Sequence, residues 1–151
     1  MSVPPTVSHA VQQMQVWLKS LCESGGYADE AEALSVLRAV LHQLRDRLTP
    51  DEAIDLGAQL PLIARGIYYE GWQPSKTPGK ARSQDQFLQG VAAQLAPHPI
   101  KAENAARDVF SLLAQAIDSG EIADVIGQLP AGIKELWPEG MRTWAAKRGR
   151  A

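Results

Sequence analysis

Cysteine and histidine are scarce here, with one cysteine and three histidines in 151 residues. A lone thiol, Cys22, rules out an intrachain disulfide and a thiolate zinc site, and points to a reducing compartment. His9, His42 and His98 stand at none of the helical separations that put two imidazoles on one face, and no Glu-x-x-His pair exists, so the di-iron bundle pattern is missing. On these grounds no metal and no cofactor is expected. Long apolar runs are absent too, and nothing approaches the ~20 residues needed to cross a bilayer. The first residues lack the basic stretch and continuous apolar core of a secretory leader, so the expectation is a cytoplasmic protein without a membrane partner. Neither sign of charge dominates. Fifteen basic and seventeen acidic side chains leave a formal charge of −2, which argues against a dedicated nucleic-acid binder.

Catalytic signatures are equally sparse. There is no Gly-x-Ser-x-Gly elbow. Gly79-Lys80 looks like the end of a phosphate-binding loop, but Pro74 stands where that loop needs glycine, and no strand precedes it. Sustained period-two alternation of β-branched residues is also missing, so no sheet is expected.

What is present is helical periodicity over most of the chain. Val7, Val11, Met14, Leu18 and Leu21 line one face of a first helix, closed by Gly25-Gly26. Asp29 is placed to cap a second helix, striped by Leu34, Leu37, Leu41, Leu44 and Leu48. Arg38, His42, Arg45 and Asp46 form its opposite face, expected to be solvated. Thr49-Pro50-Asp51-Glu52 reads as a capping box opening a third helix, which carries Ile54, Leu56 and Leu60. Pro61 ends that helix, because the residue before a proline is pushed out of helical conformation. A short fourth helix runs to about Tyr69.

The second half repeats the first at an ungapped offset of 69 residues. Gln59-Leu60-Pro61 falls on Gln128-Leu129-Pro130, and Glu70-Gly71 on Glu139-Gly140. Arg38, Val40, Leu44, Glu52 and Asp55 fall on Arg107, Val109, Leu113, Glu121 and Asp124. Asp118 takes up the capping role of Thr49. Helices are therefore expected near 83–95, 101–117, 121–127 and 130–136. The expected architecture is all-α: two pseudo-symmetric repeats of about four helices each, near 6–72 and 83–141, packed into one bundle. A proline- and glycine-containing connector, 73–82, joins them, and a basic tail, 142–151, is expected to fray.

Three sets of residues invite a functional reading. Asp55 and Asp124 hold equivalent places near helix starts, where the helix dipole by itself accounts for a carboxylate. Arg38 and Arg107 are placed to meet helix-end carbonyls or carboxylates within each half. The stretch Arg65-Gly66-Ile67-Tyr68-Tyr69-Glu70-Gly71-Trp72, leading into Pro74-Ser75-Lys76-Thr77-Pro78, is richer in aromatics than its counterpart from Lys134. Arg65, Tyr68, Tyr69, Glu70, Trp72 and Lys76 are candidate binding residues. The competing reading is that the aromatics pin the connector across the seam between the halves.

Ala58-Gln59-Leu60-Pro61, the Arg65–Trp72 run and Pro74–Pro78 together resemble the signature of a bacterial family known as domain of unknown function 2267, over about Met14 to Gly140. Gln73 departs from that pattern, which would place an acid there. The resemblance implies a small all-helical, two-repeat protein with no assigned reaction or cofactor. Two functions fit the residues. One is a non-catalytic module that binds a protein partner, or another copy of itself, near the connector. The alternative is an enzyme or binding protein that holds an anionic small molecule between the halves, with Arg65 and Lys76 facing the charge.

Overall fold

The computed structural model describes residues 2–149 as an all-helical chain, with nine α-helices and no strand among those residues. In order they are α1 (Pro5–Gly25), α2 (Glu30–Arg45), α3 (Pro50–Gln59), α4 (Leu62–Tyr69), α5 (Gln84–Leu95), α6 (Ala102–Ala116), α7 (Ser119–Gln128), α8 (Ala131–Lys134) and α9 (Glu139–Arg148). A single 3-10 turn, Pro74–Lys76, interrupts the connector. No helix among the described residues is long and apolar enough to cross a membrane.

The caps explain most of the boundaries. Asp29 accepts from the Glu32 amide at 2.9 Å, and α1 closes on Gly26, whose φ of +69° suits a residue without a Cβ. Ser83 and Gln86 form a reciprocal capping box at α5. Asp118 accepts from the Glu121 amide at 3.2 Å. At α3 the expected box is only half made. Thr49 accepts from the Glu52 amide at 3.3 Å, but the Thr49 amide donates to Gln128 Oε1 rather than to Glu52. The Glu52 side chain turns elsewhere.

One apolar core joins the two halves of the chain. α2 and α6 pack on each other. α1 lies on α2 and α6, α5 lies on α6 and α2, and α3 meets α7. Trp137 is fully buried and stacks on Phe110 with ring centroids 4.1 Å apart.

Three expectations need correction. Val7 and Val11, placed in the core stripe of α1, are 47% and 42% exposed, while Met14, Leu18 and Leu21 are buried. The polar face of α2 is solvated only at Arg38 and Asp46, whose side chains are 39% and 38% exposed, since His42 and Arg45 are only 9% and 5% exposed. The C-terminal end of α4 packs there, and its unpaired carbonyls need donors. Arg45 donates to the Tyr68 and Glu70 carbonyls at 2.8 and 2.6 Å, and a His42 ring nitrogen lies 2.7 Å from the Ile67 carbonyl. Finally, residues 142–148, read as a fraying tail, continue α9, which packs on α7. Arg142 donates to the Trp137 carbonyl at 3.0 Å, and Arg148 to the Gly120 carbonyl at 2.6 Å. Arg150 lies outside the described residues.

Candidate functional site

The six candidate residues of the connector region do not gather into one site. Arg65 spends its guanidinium on the end of α3, donating to the Gly57, Ala58 and Leu60 carbonyls at 2.9, 3.2 and 3.0 Å. The Gly57 carbonyl also accepts from the Leu60 amide at 3.1 Å, while Ala58 and Leu60 lose their helical donors because Pro61 stops the helix. Tyr68 is fully buried, and its hydroxyl donates to the Ala53 carbonyl at 2.8 Å. That corrects its reading as a contact residue. Tyr69 is half-buried over Gly57, where any Cβ would overlap its hydroxyl, so α3 needs a glycine at that point. An aromatic series leads outward, with centroids 5.0 Å apart for Tyr68–Tyr69 and 5.4 Å for Tyr69–Trp72.

Glu70 and Lys76 are exposed. Glu70 pairs with Arg38 at 2.9 Å and lies 3.6 Å from His42. Burial lowers the pKa of His42 more than these acceptors and the Glu70 carboxylate raise it. Arg107, 69 positions beyond Arg38, pairs with Glu103 at 3.3 Å and caps the Glu135 carbonyl at 3.1 Å. Both arginines thus take the roles expected of them. Lys76 belongs to the 3-10 turn and, with Asp46, Gly71, Gln73, Thr77 and Gly79, lines a depression of about 240 Å3. Arg65 lines a different one with Gln13, Trp17 and Leu62. The two cations thus line separate depressions.

The connector is nonetheless firmly seated. The Gly79 amide donates to the Asp46 carbonyl at 2.8 Å. Arg47, itself buried, donates to the Ala81 carbonyl at 3.0 Å and lies over the Phe87 ring. Thr77 closes the turn onto the Pro74 carbonyl through its amide and its hydroxyl. Gln73, Pro74, Ser75 and Lys76 are held out in solvent by these contacts.

A second cluster lies where α3 meets α7. Glu52, Glu121 and Asp124 each direct a carboxylate oxygen into a space where these atoms all lie within 4.8 Å of one another. Burial, then the charges of Glu121, Asp124 and Asp55, pushes the Glu52 carboxyl up to about 8. Burial, then the charges of Asp55 and Asp124, pushes Glu121 up to about 7. The Oε1 atoms of both are buried and have no hydrogen-bond partner. A proton held between the two carboxyls would satisfy both. A depression of about 400 Å3 opens beside them, lined by Asp124, Gly127, Gln128, Ala145 and Arg148. Arg148 stands 3.7 Å from Asp124 at its rim.

Sequence reasoning weighed Asp55 and Asp124 as a repeat-equivalent pair and credited them to the helix dipole, but it missed that Glu52 and Glu121 meet beside Asp124. It assigned the glutamates to caps and looked for metal ligands among histidines and cysteine. A signal was available all the same: Glu52 and Asp55 recur 69 positions on as Glu121 and Asp124, and if equivalent helices pack together, equivalent acids must meet.

Cys22 takes no part. It is half-buried against the core, and burial followed by nearby acids raises its thiol pKa, which disfavours the reactive thiolate.

The fold and its two clusters define a compact class: a small helical protein with a seated connector and an acidic helix–helix seam. The sequence profile described as "Uncharacterized conserved protein (DUF2267)" matches residues 14–136, and the chain belongs to that family. No curated protein matches the sequence.

Proposed function

We propose that the protein is a non-catalytic interaction module that presents the connector to a protein partner. The observation that carries this reading is an exposed loop whose flanks are pinned by hydrogen bonds. Gln73 to Lys76 stand in solvent although Gly79, Arg47 and Thr77 fix the backbone around them. A loop already ordered loses little conformational freedom on binding. The working residues are then Glu70, Gln73 and Lys76, with the edge of Trp72, while Arg65, Tyr68 and Tyr69 support them from behind. The double variant Gln73→Ala/Lys76→Ala should melt like the parent protein and lose a partner that the parent retains in a pull-down. Undiminished retention contradicts the reading.

The duplication belongs to the same proposal. Two repeats, near 6–72 and 83–141, would be related by an axis between α3 and α7. The reciprocal packing of α1 on α6 and α5 on α2 supports it. The alternative function, an anionic ligand or substrate held between the halves, has a depression at the α3–α7–α9 seam in its favour and the acidic lining of that depression against it.

A further inference from the structure

Carboxylates gather on many helical surfaces without binding anything, and Asp55 and Asp124 are exposed here. Glu52 differs from them. It is 6% exposed, its Oε1 atom is buried without a donor, and a carboxylate oxygen of Glu52 lies within 4.8 Å of oxygens of Glu121 and Asp124. A buried acceptor without a partner costs free energy that a neighbouring apolar or amide side chain would have avoided. The Arg148 guanidinium reaches Asp124 at 3.7 Å from outside but gives its hydrogen bond to the Gly120 carbonyl. A proton held between Glu52 and Glu121 satisfies that pair, and a cation that binds several oxygens at once would take its place.

We propose that Glu52, Glu121 and Asp124 form a binding site for a hard divalent cation at the junction of α3 and α7. The donor set is all oxygen and all anionic, which favours calcium, magnesium or manganese over softer metals. Three carboxylate oxygens that all lie within 4.8 Å of one another can be bridged by one ion placed between them. Calcium, with bonds of roughly 2.3–2.6 Å and a flexible coordination shell, tolerates such a set more readily than magnesium, which demands near-octahedral geometry at roughly 2.0–2.1 Å. The adjoining depression of about 400 Å3 leaves room for water to complete the coordination. Because the ligands come from both helices, a bound cation ties α3 to α7. The site shares no residue with the connector surface, so its fate is independent of the interaction reading.

Calorimetric titration of the whole chain with calcium, magnesium and manganese chlorides tests this, against sodium chloride at matched ionic strength. The expected result is a saturable one-to-one isotherm for at least one of the three. Glu52→Gln, which replaces the buried carboxyl with an amide that cannot ionise to bind a cation and should fold at least as well, is expected to weaken binding at least tenfold. Asp124→Asn, at an exposed position, should weaken it as well, and Arg148→Gln should tighten it by removing a competing charge. The proposal is overturned if no divalent cation gives saturable binding up to about 10 mM, above the range of weak calcium modules. It is equally overturned if binding persists unchanged in both carboxylate variants, since the ion then sits elsewhere.

Discussion

Replacing Arg65 with alanine separates a binding residue from a structural one. Its guanidinium makes three hydrogen bonds of 2.9 to 3.2 Å to the last carbonyls of α3. A hydrogen bond involving a charged group contributes about 1.5–3 kcal/mol. Two of these three share one nitrogen, and the Ala58 end is open to solvent, so the set is worth roughly 2–3 kcal/mol rather than three full increments. Alanine costs nothing in helix propensity at this position in α4. In a chain of this length each kcal/mol moves the melting temperature by about 2–4 °C, so a fall of roughly 5–10 °C is expected. Urea denaturation should show a lower midpoint with an unchanged slope. Arg65→Lys should recover only part of the loss, because an ammonium is a point donor that cannot span three carbonyls. An Arg65→Ala protein that melts within a degree of the parent would refute the assignment and return Arg65 to the binding surface.

Trp137→Ala removes a side chain that is 1% exposed and stacked on Phe110, and should cost about 3–5 kcal/mol in chemical denaturation. Gly57→Ala should destabilise by roughly 1–3 kcal/mol despite its better helix propensity, because the new Cβ displaces the Tyr69 ring. In the absence of divalent cations, Glu52 gives an alkaline-side dependence. The folded protein holds its proton to about pH 8 against an ordinary 4.5, so stability is full below about 4.5 and falls as pH rises toward 8. Full ionisation would cost roughly 5 kcal/mol unscreened and about 2 kcal/mol once the solvent around Asp55 and Asp124 is counted, and Glu52→Gln should flatten that limb of a melting-temperature profile. His42 works in the opposite direction. Its folded pKa is depressed by burial, with Arg45 opposing and Glu70 and Asp46 favouring its charge, so stability should fall as pH drops below 6.5, and His42→Gln should reduce that fall.

Local rules read most of the helices correctly because their signals lie within a few residues. Asp29, Ser83 and Asp118 cap where their neighbours' amides need an acceptor, and Pro61 and Gly26 stop helices by geometry that no tertiary contact overrides. The pattern failed where long-range packing decides. Val7 and Val11 keep the spacing of a core stripe, yet no helix covers them. Arg45 and His42 look like a wet face until the end of α4, over twenty residues on, delivers carbonyls to them. Arg65 and Tyr68 carry the chemistry of a recognition surface but answer to local backbone demands. The sequence stripe cannot show that the chain folds back and spends them there. The acidic seam was hidden for the same reason: Glu52 is a plausible half of a capping box until Gln128 takes the Thr49 amide.

The central claim is that two glutamates from separate helices face each other in a buried seam between α3 and α7. Carbon-detected NMR titration of the Glu52 and Glu121 side-chain carboxyls, in cation-free buffer, reads it directly. Midpoints near 8 for Glu52 and near 7 for Glu121 are predicted, with the Glu52 midpoint displaced downward when Glu121 is changed to glutamine. Two independent midpoints at the ordinary value of about 4.3 for a solvated glutamate would contradict it.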